Sequence, residues 1–486
     1  MNTAPLPLLR DFSDRLSPML VKELRHGLRT RAFTSLLTSF QVCMILITGS
    51  GVLGIPQEVI SNIFWTVALV ALLLALPLRG FGTLSGEVQG GTMDMLTLTS
   101  ISSFRIVYGK WSALFSQTLL LSISLLPYMV ARYHFGGVEI VREALALAAA
   151  VLASAIVSAA YVAFSSQRSL VLRLFLTAGI LLALVPVTVF IFVMINDTGG
   201  DRVLVEFLTL SKLEQAGLLL GIPFLSAYAV FTFLALGASR IAPVSENHST
   251  WKRLIHLVML MLLMLAGFAL SFHPDNSATI WAYFPSAVLT LLVGVDVLTE
   301  PMPRFPSVIQ RLQSGGLPPA MGRFLYPGWA SAVNYYILLG VMNLCILLVL
   351  WEKHSMHDFG EFIVMMSIVL ASALVPVAIR LNKTNLFANW CVVHIVLGVI
   401  GILLTMFRGL SRAGEVGFLG VFTPVTGVFG SMNNYQHEDE ILLATFAFSL
   451  CWLATAVVLA RKESAVYQSL ETEARLLSAP NPAAES

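Results

Sequence analysis

The chain has 486 residues, of which 57% are hydrophobic and 12% charged, with a net charge of +2 at neutral pH. An ordinary soluble domain is about 25% charged, so a water-facing surface cannot be built here, and a soluble enzyme, a disordered chain and a fibrous protein are excluded. Mean hydropathy is +0.82, the net charge is too small to argue for a nucleic-acid partner, and the composition fits an all-α polytopic membrane protein whose solvent is the lipid bilayer.

In chain order, the first patterned segment is SPMLVKELRHGLRTRAF, residues 17–33. Met19, Leu20, Leu24 and Leu28 fall on one side of a helix, and Lys22, Arg25, Arg29 and Arg31 spread over the other. Such a helix lies at the headgroups with its basic side toward anionic lipid.

A spanning helix needs about 20 mainly apolar residues. Runs of that kind occupy 33–53, 60–79, 106–130, 142–165, 170–195, 216–237, 254–272, 279–298, 333–351, 361–380, 387–407 and 441–460, about twelve in all. The first follows six basic residues and is expected to act as an uncleaved anchor. If the N-terminus is cytoplasmic, only Arg132, Arg142, Arg202, Lys212, Lys353, Arg408 and Arg412 fall outside, leaving the other 22 of 29 Lys and Arg inside. That asymmetry puts both termini in the cytoplasm. Four cysteines, Cys43, Cys345, Cys391 and Cys451, sit in apolar stretches without a CxxC. They read as buried thiols packing as small hydrophobes, not as a disulfide framework or zinc site.

The loop RGFGTLSGEVQGGTMDMLTLTSISSFRIVYGKW, residues 79–111, is the most informative stretch. Gly80, Gly82, Gly86, Gly90 and Gly91 loosen the approach to TMDMLTLTSI, which has helical potential. Thr92 can cap that helix, and Asp94 sits in its first turn, where the helix dipole favours a negative charge. Met93, Met95, Leu96, Leu98 and Ile101 give it an apolar surface on a cytoplasmic loop. It would dock on a partner, on its own protein or on the membrane. No G-x-x-x-x-G-K-[ST] occurs anywhere, so no phosphate-cradling P-loop is present.

In order, Glu87, Gly91-Thr92, Asp94-Met95-Leu96 and then Gly109-Lys110 resemble the loop of ABC type-2 permeases. Pro18 to Arg25, with Lys22, Glu23 and Arg25, resembles the N-terminal interfacial helix of that family, which Arg29 continues. Ser100 stands where the family often has Pro, and six spans follow residue 253 where many relatives have six in total. The resemblance implies an exporter permease in a bacterial inner membrane, working as a dimer with a second copy or a paralogous permease. It implies no cofactor in this chain; ATP and Mg would bind a separate ATPase subunit. The short cytoplasmic coupling helix, with Glu87, Gly91, Thr92, Met93, Asp94, Met95 and Leu96, would seat in that subunit's groove. The implied layout is a cytoplasmic N-terminus with the interfacial helix (1–32), a six-span permease domain (33–237, coupling loop 80–105), a linker (238–253), six further spans (254–460) and a tail (461–486).

Beyond the loop, residues 299–332 are Pro-rich with one amphipathic turn, PSVIQRLQ. The Gly- and Pro-bearing segment 408–440 reads as re-entrant or surface-lying, and its backbone must then be covered by protein. Asp296 and His256 are placed at span ends as interfacial groups; His394, Asn334 and Asn343 lie inside spans, with His394 expected to hydrogen-bond between helices. The mixed clusters Glu352-Lys353-His354, His357-Asp358 and His437 to Glu440 read as solvated loops, and the tail after Lys462 as disordered. Two rival classes are a twelve-span secondary transporter and a polytopic membrane enzyme. The former would carry a base-rich second loop, absent here, and the latter a tight catalytic cluster of acids or His.

Overall fold

The computed structural model describes residues 18–90, 101–135, 139–167, 169–195, 197–243, 246–270, 277–314, 318–352, 366, 369–370, 386–408, 420–424, 426–427 and 438–478. Among these the regular structure is helical, with no strand. Nine helices among the described residues are long and apolar enough to cross a membrane. They are Arg31–Leu53, Gln57–Glu87, Ser103–Phe135, Ile140–Phe164, Leu170–Ile195, Gln215–Ile241, Ser249–Ala266, Trp329–Val349 and Asp439–Leu477. Two further runs expected to span lie in the helices Ser277–Leu298 and Leu386–Arg408, which contain the apolar stretches Pro285–Leu298 and Leu386–Gly401. The remaining one, 361–380, lies almost wholly outside the described residues.

The chain divides into two compact units, Met1–Ile241 and Ala242–Ser486. In the first, α1 (Pro18–Arg29) turns at Thr30 into α2 (Arg31–Gly49). Thr30 is the N-cap, accepting from the Phe33 amide at 3.4 Å. Phe33, Phe40, Met44 and Thr48 make the buried stripe of α2, while Val42, Ile45 and Leu46 are exposed. An apolar side chain facing outward is what a lipid-facing helix presents. The next span, α3 (Gln57–Leu69), continues through a π turn at Val70–Ala75 and a 3-10 turn at Arg79–Gly82 to α4 (Ser85–Gln89). The π turn loosens the hydrogen-bond ladder, and Ser154 Oγ donates to the freed Leu72 carbonyl at 2.6 Å.

Helices α5 (Ser103–Phe135), α6 (Ile140–Phe164), α7 (Leu170–Ile195), α8 (Asp197–Thr209) and α9 (Lys212–Ile241) complete the unit. The centre is α6, which packs on α5, α7 and α9. Its buried Ala146, Ala150, Ser154, Ala159 and Ala163 are small, so neighbouring backbones approach closely. A Cβ added to Gly237 of α9 would stand 3.0 Å from Ala163 Cα.

The second unit is built from α10 (Ser249–Leu270), α11 (Ser277–Leu298), α12 (Pro306–Ser314), α13 (Pro319–Leu325), α14 (Trp329–Glu352), α15 (Leu386–Arg408) and α16 (Glu438–Ser478). Trp329, Val333, Tyr336, Leu339, Ala456 and Ala460 lie in its main core. Asn343 is fully buried there, accepting from Ser286 Oγ at 2.8 Å and donating to Thr290 Oγ1 at 2.9 Å.

The expectations for the tail and for the cysteines change. The tail is not disordered after Lys462: α16 runs on to Ser478. Tyr467, Leu470 and Ala474 fall at helical spacing and are buried in the core, and α16 packs against α12. Of the cysteines, Cys391 is buried, but Cys43, Cys345 and Cys451 are exposed on the protein surface, where lipid instead of protein would surround them. His394 sets its Nδ1 3.0 Å from the Trp390 carbonyl, one turn back in its own helix, and stacks on that indole. In the segment read as re-entrant, Gly420, Val421, Thr423 and Thr426 are buried. There the Phe422 carbonyl accepts from Trp452 Nε1 at 2.8 Å, so α16 helps satisfy that backbone.

Candidate functional site

The end of the second span and α4 are fixed from several sides. Gly80 sits so close to α5 and α6 that an added Cβ would be 3.1 Å from Tyr161 Cβ and 3.3 Å from Leu114 Cδ1. Leu84 is fully buried and its amide donates to Ser165 Oγ at 3.1 Å, at the end of α6. From α7, Arg173 donates to Ser85 Oγ at 2.9 Å and to the Phe81 carbonyl at 3.3 Å, with its guanidinium 5.0 Å over the Phe81 ring.

Glu87 lies on α4 with its Oε1 2.9 Å from Lys110 Nζ. The same ammonium donates to Glu23 Oε1 on α1, at 3.3 Å. The Lys110 side chain is 5% exposed, Glu23 20% and Glu87 21%. One buried cation on α5 thus ties together the N-terminal helix and the entrance to the loop. Beside it, Arg79 donates to Thr30 Oγ1 at 2.9 Å and to Gln117, and reaches the Gly27 carbonyl. An added Cβ at Gly27 would meet the terminal amide of the flexible Gln117 side chain on α5.

On α1, Lys22, Arg25 and Arg29 are exposed, whereas Leu20, Glu23, Leu24 and Leu28 are half-buried. The amphipathic division expected from the sequence is present, but the covered side of the helix rests on α5. Of the loop residues singled out, Glu87 is placed. Gly91, Thr92, Met93, Asp94, Met95 and Leu96 lie outside the described residues.

Two buried ionic groups were not read as such from the sequence, although Asp296 of the second was named there as an interfacial residue. In the first unit, Arg132 Nη1 is 2.7 Å from Glu143 Oε1, which also accepts from Trp65 Nε1 at 3.3 Å. Arg132 is fully buried and stacks 4.3 Å from the Phe64 ring centroid. The signal available was an acid and a base within one turn of the two ends of a hairpin.

In the second unit, Lys252 Nζ bridges Asp296 Oδ2 at 2.8 Å and Glu300 Oε1 at 2.6 Å, two acids four residues apart. Arg253 donates to Glu300 Oε2 at 2.7 Å, to Ser331 Oγ at 2.9 Å and to the carbonyls of Phe324 and Gly328. Asp296 and His256 are 1% and 2% exposed, so both are enclosed by protein instead of facing headgroups. Burial alone would push the Glu300 carboxyl up, but Lys252, Arg253 and His248 hold it well below the ordinary carboxylate range. Loss of water pushes His248 down, with Lys252 adding to this and Glu300 and Asp296 opposing it. Removing one member of such a group would strand its partner, at roughly 3–5 kcal/mol. Among the described residues no group of three His, Cys, Asp or Glu is placed to hold a metal ion. Compared with known proteins, the chain matches no family model, no curated protein and no solved structure.

Proposed function

We propose that the chain is the membrane-spanning permease subunit of an ABC transporter, an exporter driven by a separate ATPase subunit that binds ATP and Mg. The observation that carries this reading is the meeting of Glu23, Glu87 and Lys110 in one ionic cluster. These residues belong to three separated pieces of the sequence, and each was marked by its resemblance to the permease family. The absence of a P-loop in this chain fits an ATPase supplied by a partner.

On this reading the residues at 91–96 seat in the ATPase groove, and movement there is handed on through 80–90. That segment is bonded to α5, α6 and α7 through Lys110, Ser165 and Arg173, so a push on the loop loads three spans together. Twelve spans with both termini cytoplasmic, α1 lying at the headgroups of a bacterial inner membrane, and a pair of permease chains complete the proposal. Two nucleotide domains act in such a transporter, and one coupling loop per chain then calls for two permeases.

Co-purification of the ATPase with a Met95→Asp/Leu96→Asp double variant tests the reading. The variant should insert and fold normally while losing ATPase binding by roughly thirtyfold, the weight of a central interface anchor, and losing transport. Retention of the ATPase at wild-type yield would remove the coupling role.

A further inference from the structure

The second unit holds a polar cavity of about 260 Å³ where α14 begins and the apolar run of α16 ends. Two arginines line it, Arg323 from α13 and Arg461 from α16. Both residues are exposed, and neither guanidinium pairs with a carboxylate among the described residues. Asn334, Ser464 and Gln468 add neutral hydrogen-bonding groups to the same wall. One acid, Glu471, is also present. It stands against the Tyr326 phenol: burial first, then the Glu471 carboxylate, push that phenol up, against a hydrogen bond from Gln313.

The position is as informative as the charge. Arg461 directly follows Ala460, the last residue of an apolar run, and Ala330, Val457 and Ala460 form the cavity's apolar side. Further along the same two spans, Val341, Leu348 and Leu450 are exposed. The cavity therefore sits at the level where headgroups meet hydrocarbon, with a lipid-facing surface running away from it. Arginine recognises phosphate oxygens through paired N–H donors and is less strongly hydrated than lysine. Basic pockets between spans on the cytoplasmic side are built to take anionic headgroups.

We propose that this cavity binds the phosphate of an anionic phospholipid headgroup, with Arg323 and Arg461 as its cationic ligands and Asn334, Ser464 and Gln468 completing the hydrogen bonds. The acyl chains lie along the exposed faces of α14 and α16. The site makes no use of the loop at 91–96, so it stands or falls independently of the transporter reading.

The test uses the purified full chain in neutral detergent, with bound lipid counted by native mass spectrometry during titration with phosphatidylglycerol or phosphatidylcholine. The wild type should retain phosphatidylglycerol in preference to phosphatidylcholine. Arg323→Gln and Arg461→Gln should each lower that preference roughly fivefold, as expected for one surface-level basic residue, and together abolish it. Glu471→Gln should raise it. Unchanged elution and thermal midpoint would show that the variants fold, which the exposure of both arginines favours. Equal retention of the two lipids by the wild type, or a preference that survives the double substitution, would overturn the proposal. Glycerol 3-phosphate provides the second arm. Displacement of phosphatidylglycerol by it supports phosphate as the recognised group, whereas binding of glycerol 3-phosphate without any retention of phosphatidylglycerol overturns the lipid source.

Discussion

Lys110 is a single cation bridging two carboxylates, and its removal takes that partner from both Glu23 and Glu87. Because both acids keep about a fifth of their surface, the penalty falls below that of a fully enclosed pair, at about 2 kcal/mol. Lys110→Met should lower the thermal midpoint of the purified chain, and pairing it with Glu87→Met should restore part of the loss; additive losses would show that the two side chains do not interact. In the second unit the residue-scale lever is pH. His248 is held neutral in the folded chain, so its contribution is complete above the ordinary value of 6.5 and declines as pH falls through it. Glu300 is held ionised, so its contribution is complete above 4.5 and is lost as pH drops below that toward the folded value. The thermal midpoint should therefore fall on acidification through both windows, and His248→Gln should make the upper part of the decline shallower. A midpoint that rises as pH falls from 6.5 to 4.5 would contradict the sign for His248, and one that rises on further acidification below 4.5 would contradict that for Glu300.

Among elements, α16 carries the clearest consequence. Its extension past Lys462 is held by Tyr467, whose hydroxyl donates to the Pro327 carbonyl at 2.9 Å and accepts from the Ser331 amide at 3.4 Å. Tyr467→Ala removes a buried ring and both bonds, a change of about 3 kcal/mol by analogy with other large-to-small core substitutions. It should also make the peptide bond after Arg475 an early site of tryptic cleavage, and equal cleavage rates in variant and wild type would show that the extension is not docked. This extension was hard to read in the sequence because three buried side chains are diluted among Glu463, Glu471, Glu473 and Arg475. Composition averages over such a stretch, while packing depends on the one face where Tyr467, Leu470 and Ala474 line up.

Across the molecule, the apolar runs were legible because each is bounded by charge or by Gly and Pro, and the requirement for about 20 apolar residues is a coarse filter. What joins the runs was less so. Lys252 and Asp296 are 44 residues apart in the chain, and Lys110 and Glu23 are 87 apart; hydropathy carries no information on which polar side chains will find each other. Glu87 and Lys110 were marked by resemblance, yet nothing in their spacing assigned them to one another. Topology remains a whole-chain prediction, resting on the distribution of Lys and Arg. Single cysteines placed near Asp197 and His357, in a chain with its own four replaced, should react with an impermeant maleimide in sealed cells, and those at Gly90 and Pro318 should not. Labelling at Gly90 from outside would reverse the assignment.

At 41 residues, α16 is about 60 Å long, roughly twice the hydrocarbon thickness of a bilayer. A span and its extension are thus one rod, and any tilt of the part inside the lipid swings the other end through a larger arc. A spin label or donor fluorophore fixed at Arg475 would act as the pointer of a gauge, magnifying rotations of a buried segment into displacements large enough to record at a distance from the membrane.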